Sequence, residues 1–369
     1  MNTFIPILTC EESARLEKQL LENNEEKIWS AMSKVGHSLG QAILKDFSEI
    51  GSLSLSPHIL VLLGTGHNAG DALLSANEIF KHFPTAKIKL LFALGMEKIK
   101  PLVEKALATL QVYEIIDLET ALNSHFDISI DGILGMSFHP PLSTTLINLI
   151  NQINQHPNIK FRASVDIPSG LLLKADFSYA TGTAKSPLFE DVNKSIVGRI
   201  RFLDIGFFDT PYQGPHSFKE FLLLPEVLEP LKKLRDPLAD KRKFGHLFII
   251  SGSRNYPGAL MMSVRSAITS GVGLVTAFAP ESLVSSFAAE APEAMWVPFP
   301  ETKSGSLALP GKHLFMENLH KATAILSGPG LGQNSETLSL ISEIVREAPL
   351  PICLDASALA LVLSLLFLY

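Results

Sequence analysis

Three stretches of this chain place oxygen-bearing side chains beside glycine at the end of an apolar run. Gly64-Thr65-Gly66-His67-Asn68-Ala69-Gly70-Asp71 follows Ile59-Leu60-Val61-Leu62-Leu63. Asp127-Ile128-Ser129-Ile130-Asp131-Gly132-Ile133-Leu134-Gly135 and Ser164-Val165-Asp166-Ile167-Pro168-Ser169-Gly170-Leu171 repeat the arrangement. The carboxyl end of a strand beside a helix N-terminus is where open α/β sheets bind ligands, because free backbone N–H groups face the ligand there. Glycines at 64, 66 and 70 fall one residue off the dinucleotide fingerprint, and Asp71 stands where a P-loop carries its lysine. An acidic group beside a phosphate nest favours a ribose hydroxyl, an amide or a cation. The plainer alternative is that the glycines turn the chain and Asn68 caps the helix. Asp131 and Asp166 reach the same crevice as Asn68 if their strands are parallel, and carboxylates brought together there share a cation or push one pKa upward. Asn, Asp and Ser oxygens without a His or Cys cluster suit Mg²⁺, Na⁺ or K⁺ and not zinc. For Asp131 alone a strand-end turn role is equally open, since Asp-Gly is a common turn pair.

The elements that must position these groups follow from hydrophobic spacing. Thr9 and Glu12 form a capping box, and Leu16, Leu20, Leu21, Ile28, Met32, Val35 and Leu39 recur at helical intervals, so the first fifty residues read as helical. Apolar runs at Ile59–Leu63, Ile88–Ala93, Ile128–Ile130 and Ala163–Ile167 read as strands, with helices over Val103–Leu110 and Thr144–Ile153 between them. A helix is expected to begin after the 64–71 loop and run through Leu73, Leu74 and Ile79. Strands alternating with helices imply right-handed crossovers and a parallel sheet covered on both faces. Pro211, Pro215, Pro225, Pro230 and Pro237 break up the region from Asp209 to Asp240, which reads as a linker with short helical pieces. Beyond it the alternation restarts, with strands at Leu247–Ile250, Leu274–Phe278, Thr323–Leu326 and Pro351–Leu354 and a helix over Ala259–Thr269.

Composition narrows the class. With 369 residues, 46% of them hydrophobic and 18% charged, the chain suits a packed protein of two domains. Thirty-one basic against 37 acidic residues leave a net charge of −6, so no basic field exists for nucleic acid. Cys10 and Cys353 lack the spacing of a zinc or redox pair and read as buried thiols of a reducing compartment. Met1–Glu12 shows no secretory signal, so the cytoplasm is the expected location. Mean hydropathy is high at +0.24, yet the apolar stretch Ala356–Tyr369 is shorter than the ~20 residues of a membrane helix. The chain stops inside that stretch without cap or polar exit, as a protein cut short would.

In this order and spacing, Gly66–Asp71, Asp131–Gly135 and Val165–Leu171 resemble the NAD(P)H-hydrate epimerase family, also called the YjeF N-terminal domain. Glu17 and Met32-Ser33-Lys34-Val35-Gly36 resemble that family's opening, and the likeness covers residues 1–215. It implies a Rossmann-like three-layer α/β domain that interconverts the R and S forms of hydrated NADH or NADPH. By matching motif, Asn68, Asp131 and Ser169 would hold K⁺. His67, Asn68, Ala69, Gly70, Asp71, Gly135, Met136, Ser137, Phe138, His139, Pro140, Pro141 and Asp166 would contact the substrate, with Asp166 as acid and base at the reacting carbon. In the family the loop reads Asn-Asn-Gly-Gly-Asp-Gly. Here His67, Ala69 and Ala72 replace an asparagine and two glycines, an expected cost of about 1 kcal/mol wherever φ must be positive.

Residues 241–369, after a linker over 216–240, are similar to the ADP- or ATP-dependent NAD(P)H-hydrate dehydratase, a ribokinase-like α/β fold. The likeness rests on Lys241–His246, Ser251–Ala259, Gly271–Val275, Gly328–Gly332 and Leu354–Leu359, and implies that Ala259 and Gly330 touch the hydrated substrate. The family continues past this point with motifs bearing its catalytic aspartate, so the dehydratase half is expected to be inactive and its sheet poorly stable. Homo-oligomerisation is compatible with this reading. The competing expectation from another class is a non-catalytic nucleotide-binding or dimerisation module.

Overall fold

The computed structural model describes residues 3–136, 138, 140–209, 220–232 and 234–361. The chain divides into two compact units, Met1–Lys233 and Leu234–Tyr369. In chain order the first contains β1 (Phe4–Leu8), α1 (Cys10–Leu21), α2 (Glu25–Phe47), β2 (His58–Leu63), α3 (His67–His82), β3 (Lys87–Phe92), α4 (Pro101–Leu107), β4 (Glu114–Ile115) and α5 (Leu118–Leu122). It continues with β5 (Phe126–Gly132), α6 (Thr144–Gln155), β6 (Ile159–Val165), β7 (Phe177–Thr181), β8 (Ala184–Lys185), α7 (Lys194–Val197), β9 (Arg199–Leu203) and β10 (Phe221–Leu223).

The main sheet is parallel, in the order β4-β3-β2-β5-β6-β7-β9. Its near-continuous apolar strands are explained by burial on both faces. Ile59, Val61 and Leu63 pack with Leu39 and Ile43 of α2 and Leu73 of α3, while Leu60 and Leu62 pack with Leu146 and Ile150 of α6. The chain leaves β2 toward β3 and β4, then returns to place β5 on the other side of β2. The reversal between β2 and β5 is the switch point at which such sheets open a crevice.

Helices α2 and α3 meet at close range because a Cβ on Gly36 would lie 2.3 Å from Leu74 Cβ. The loop after β2 is tighter still: a Cβ on Gly64 would lie 1.8 Å from the backbone oxygen of Ile133. Backbone cannot yield as a side-chain tip can, so Gly64→Ala is expected to lower the stability of this unit by about 3 kcal/mol. Urea unfolding followed by Trp29 fluorescence, with Trp296 replaced by Phe, measures it.

The first fifty residues are not wholly helical. Phe4–Leu8 is a strand that pairs antiparallel with β10 and parallel with β8, and Pro6 at its centre hides the strand signal. Thr9 and Glu12 do form the reciprocal capping box. Part of the proline-rich stretch is ordered, as β10 and a 3₁₀ helix over Pro225–Lys232.

The second unit holds β11 (His246–Ile250), α8 (Pro257–Thr269), β12 (Leu274–Pro280), α9 (Glu281–Glu290), β13 (Met295–Phe299), α10 (Lys312–Asn318), β14 (Ala324–Ser327), α11 (Ser335–Glu347) and β15 (Ile352–Leu354). Its parallel sheet runs β13-β12-β11-β14-β15, with a second reversal between β11 and β14. Phe248, Phe278 and Phe299 pack with Phe315 of α10 and Ile341 of α11 on one face; Ile249 and Ala277 pack with Leu260 of α8 and Phe287 of α9 on the other. Both units are thus three-layer α/β structures. The cysteines are not buried as expected: Cys10 is half-buried, and Cys353 is exposed because β15 turns Ile352 and Leu354 toward the core and Cys353 away. The apolar run 362–369 lies outside the described residues.

Candidate active site

Helix α3 starts at His67, five residues earlier than the sequence spacing suggests, with Gly66 at its N-cap. None of residues 67–72 has a positive φ, so Ala69 and Ala72 sit in helical backbone and the expected strain does not arise. In a helix, alanine is instead favoured over glycine by about 1 kcal/mol. Ala69 and Ala72 are fully buried in the core, and Gly70 is covered by Met32, so Ala69 and Gly70 support the site from behind and do not line it.

Asn68 lies in the first turn of α3 and does not cap it. Its amide nitrogen donates to the carbonyls of Leu134 at 3.0 Å and Val165 at 3.2 Å, one from each of the other two motif segments. Ser169 completes the link. Its hydroxyl donates to Asp131 Oδ1 at 2.6 Å and accepts from the Leu134 amide at 2.9 Å, while its own amide donates to Asp131 Oδ2 at 2.8 Å. Asp131 also accepts from Ile133 N at 3.1 Å, the bond of a strand-end turn, and from the Ser164 hydroxyl at 3.3 Å. Asp131 closes its own turn and joins β5 to the segment after β6. Burial pushes its carboxyl upward in pKa against these hydrogen bonds.

Asn68 and Ser169 thus meet at Leu134, with Asp131 bonded to Ser169, and these oxygens are of the hard type that suits a monovalent cation. Asn68 already turns a donor toward two carbonyl oxygens, a place that attracts positive charge. Among the described residues no group of three His, Cys, Asp or Glu could hold a metal ion.

Above this joint opens a cavity of about 190 Å³ lined by Glu17, His67, Asn68, Asp71, Lys100, Gly135, Met136 and Asp166. Asp166, at the exit of β6, has φ +64°, a left-handed conformation that costs about 1 kcal/mol or more and is found disproportionately at functional sites. Its Oδ1 accepts from the Thr181 amide at 3.3 Å and hydroxyl at 3.2 Å, and forms an ion pair with the fully buried Lys185. Lys185 also donates to the Thr181 carbonyl at 2.7 Å. Sequence reasoning missed Lys185; a lysine directly after Ala184 at the end of a buried segment was its one signal.

The rest of the cavity is acidic. Burial, then Asp166, raises Glu17 to about 7. Asp71 is raised well above the carboxylate range by burial, Asp166 and Glu17, with Lys185 opposing. Burial and Lys100 lower the His67 imidazole.

An adjoining apolar cavity of about 400 Å³ shares Gly135 and Met136 and is lined by Phe138, Pro140, Leu142 and Ile167. Pro141 follows Pro140 across a cis peptide bond. Ser137 and His139 lie outside the described residues.

In the second unit, Ala259 and Gly330 do meet, at a cleft of about 670 Å³ shared with Ser253, Asn255, Tyr256 and Asn334. Ser251 and Ser253 donate to the carbonyls of Pro329 and Gly330 at 2.9 and 2.7 Å, tying the β11 exit to that of β14. Among the described residues no carboxylate, lysine or histidine lines this cleft. No helix of the described residues is long and apolar enough to cross a membrane.

Fold and site together define a two-unit α/β protein with a ligand cleft at each sheet's switch point, the first of them equipped for proton chemistry. Family models match both units: that of the YjeF-related protein N-terminus over residues 30–187 and that of NAD(P)H-hydrate dehydratase over residues 247–365. The chain thus carries a YjeF-related N-terminal domain followed by an NAD(P)H-hydrate dehydratase domain, and it is similar over most of its length to bifunctional NAD(P)H-hydrate repair enzymes. It is 29% identical to the bifunctional NAD(P)H-hydrate repair enzyme Nnr of Thermosynechococcus vestitus over 98% of this chain and 71% of the relative. It is 31% identical to the protein of the same name from Gloeobacter violaceus over 90% of this chain and 65% of the relative. A solved ADP/ATP-dependent NAD(P)H-hydrate dehydratase from Bacillus subtilis, co-crystallised with ATP/Mg²⁺, is 24% identical over 34% of this chain and 42% of that one, with a TM-score of 0.27.

Proposed function

We propose that the first unit interconverts the R and S forms of hydrated NADH and NADPH, with Asp166 as acid and base. The observation that carries this is the placement of Asp166: a strained, buried carboxylate held at Oδ1 by Lys185 and Thr181, on the wall of a cavity that also exposes a histidine, a lysine and two further carboxyl groups. The substrate's reacting carbon carries both nitrogen and oxygen, so exchange of its two configurations needs a proton delivered and a proton removed. With Oδ1 engaged by Lys185 and Thr181, Oδ2 is the atom of Asp166 that takes or returns that proton. Lys185, wholly buried, does not reach substrate; it orients the carboxylate.

Asn68, Asp131 and Ser169 would hold K⁺, and the ion would supply a fixed positive charge that steadies the dinucleotide's phosphates. The wide apolar cavity beside the acidic one suits a ring system, with Phe138 and Pro140 against it. The second unit would bind the same hydrate with ADP or ATP at the Ala259 and Gly330 cleft. With no acid or base among the described residues lining that cleft, we infer that this chain does not complete the dehydration. A cytoplasmic location fits two unpaired cysteines.

The purified chain supplied with one epimer in K⁺ is expected to produce the other, more slowly in Na⁺, and to form no NADH on addition of ADP or ATP. Chromatographic separation of the epimers reads the first outcome and absorbance of the dihydronicotinamide the second. A chain that gains thermal stability with the hydrate but leaves its configuration unchanged would be a binding module instead.

A further inference from the structure

The acidic cavity holds more carboxyl groups than its one buried ammonium can balance. Glu17 comes from α1, Asp71 from α3 and Asp166 from the exit of β6; Lys185 of β8 is paired with Asp166, while Lys100 and His67 stand at the wall. Three ionised carboxylates against one buried ammonium would leave net negative charge in a low-dielectric space, so a group with no partner takes up a proton. Among the described residues, Glu17 and Asp71 both lack an ion pair and a hydrogen bond, and of the two only Asp71 is buried. It is 7% exposed, lines the cavity, and its Oδ1 is buried with no hydrogen-bond partner. Buried polar atoms are nearly always satisfied, and an exception beside a cavity points to a ligand that supplies the missing bond.

Building on the epimerase reading, we propose that Asp71 is a second catalytic residue, a neutral carboxylic acid that donates its proton to the hydroxyl of the hydrated ring. The step balances as follows. The Asp71 carboxyl protonates the hydroxyl oxygen, the carbon–oxygen bond breaks, water leaves, and the ring nitrogen's lone pair forms the carbon–nitrogen double bond. Water then adds to the opposite face of that carbon, the double-bond electrons return to nitrogen, and the added water's proton passes to Asp166 Oδ2 and from there through water back to the Asp71 carboxylate, which restores both groups. Asp166, paired with Lys185, faces the positive charge that develops on the ring. Two carboxyl groups of one cavity thereby divide the work: one gives a proton, the other stabilises what the loss of water leaves behind.

The test uses the full chain with hydrated NADPH in K⁺. Asp71→Asn keeps the shape and removes the acid, so kcat is expected to fall about 10²-fold while KM changes less than about threefold. The alkaline limb of the wild-type rate profile, which reports loss of the donor's proton, is expected to vanish in Asp71→Asn and to persist in Glu17→Gln. The infrared spectrum of wild type minus that of Asp71→Asn at neutral pH is expected to show a positive protonated-carboxyl stretch. A variant within about threefold of wild-type kcat overturns the donor role, as does an alkaline limb that disappears in Glu17→Gln but not in Asp71→Asn. Absence of that band from the difference spectrum overturns it whether or not the chain turns over. A wild-type chain that interconverts nothing overturns the epimerase reading itself, and is distinguished from failure of the donor role alone by the silence of every variant.

Discussion

Asp166→Asn is expected to lower the epimerisation rate by about 10³–10⁴-fold, the range in which a positioned acid and base acts. The substitution is a fair test of chemistry because asparagine accepts the left-handed backbone of position 166 as readily as aspartate does. Its amide oxygen can still receive the Thr181 hydrogen bonds. It does not leave the protein untouched, however, since Lys185 loses its counter-charge in a fully buried setting. The variant's secondary structure should therefore be confirmed by circular dichroism at the assay temperature before rates are compared. Turnover near that of the wild type would remove Asp166 from the mechanism.

The second large effect concerns stability. Breaking a buried ion pair from one side leaves an uncompensated charge, and Lys185→Met is expected to cost about 3–5 kcal/mol in unfolding free energy. Asp166→Asn alone should cost a comparable amount by stranding the ammonium. The double variant is expected to be far less destabilised than the sum of the two, because it removes both charges and leaves only their volume. Urea denaturation of the four proteins closes the cycle; additive losses would show that the pair is no energetic unit. The cycle also separates roles, since Lys185→Met in a chain that remains folded should still lose epimerisation once the Asp166 carboxylate is no longer held in place.

Much of the architecture was legible in the chain. Ile59–Leu63 announces a strand buried on both faces, and the return of similar runs at 128 and 163 implies parallel neighbours with helical crossovers. What was not legible has local causes. Phe4–Leu8 carries a proline at its centre, and Phe177–Thr181 is too short and too mixed in polarity, with Ser178 and Thr181, to stand out as a strand. The start of α3 was displaced because Gly66, Asn68 and Gly70 read as turn residues, whereas Gly66 alone is the cap and Gly70 is a contact for Met32. At the site, the motif segments pointed to Asn68, Asp131, Asp166 and Ser169 because each ends a strand. Lys185 and the burial of Asp71 had no such marker, since an ion pair across 19 residues and an unsatisfied oxygen are properties of packing.

Asn68, Asp131 and Ser169 are bound to one another's segments by the fold itself. Immobilising a side chain at an interface costs about 0.5–1.5 kcal/mol, and here that ordering is met during folding. A visiting molecule finds a mould that has set, so its affinity is spent on contacts and not on assembling the receptor.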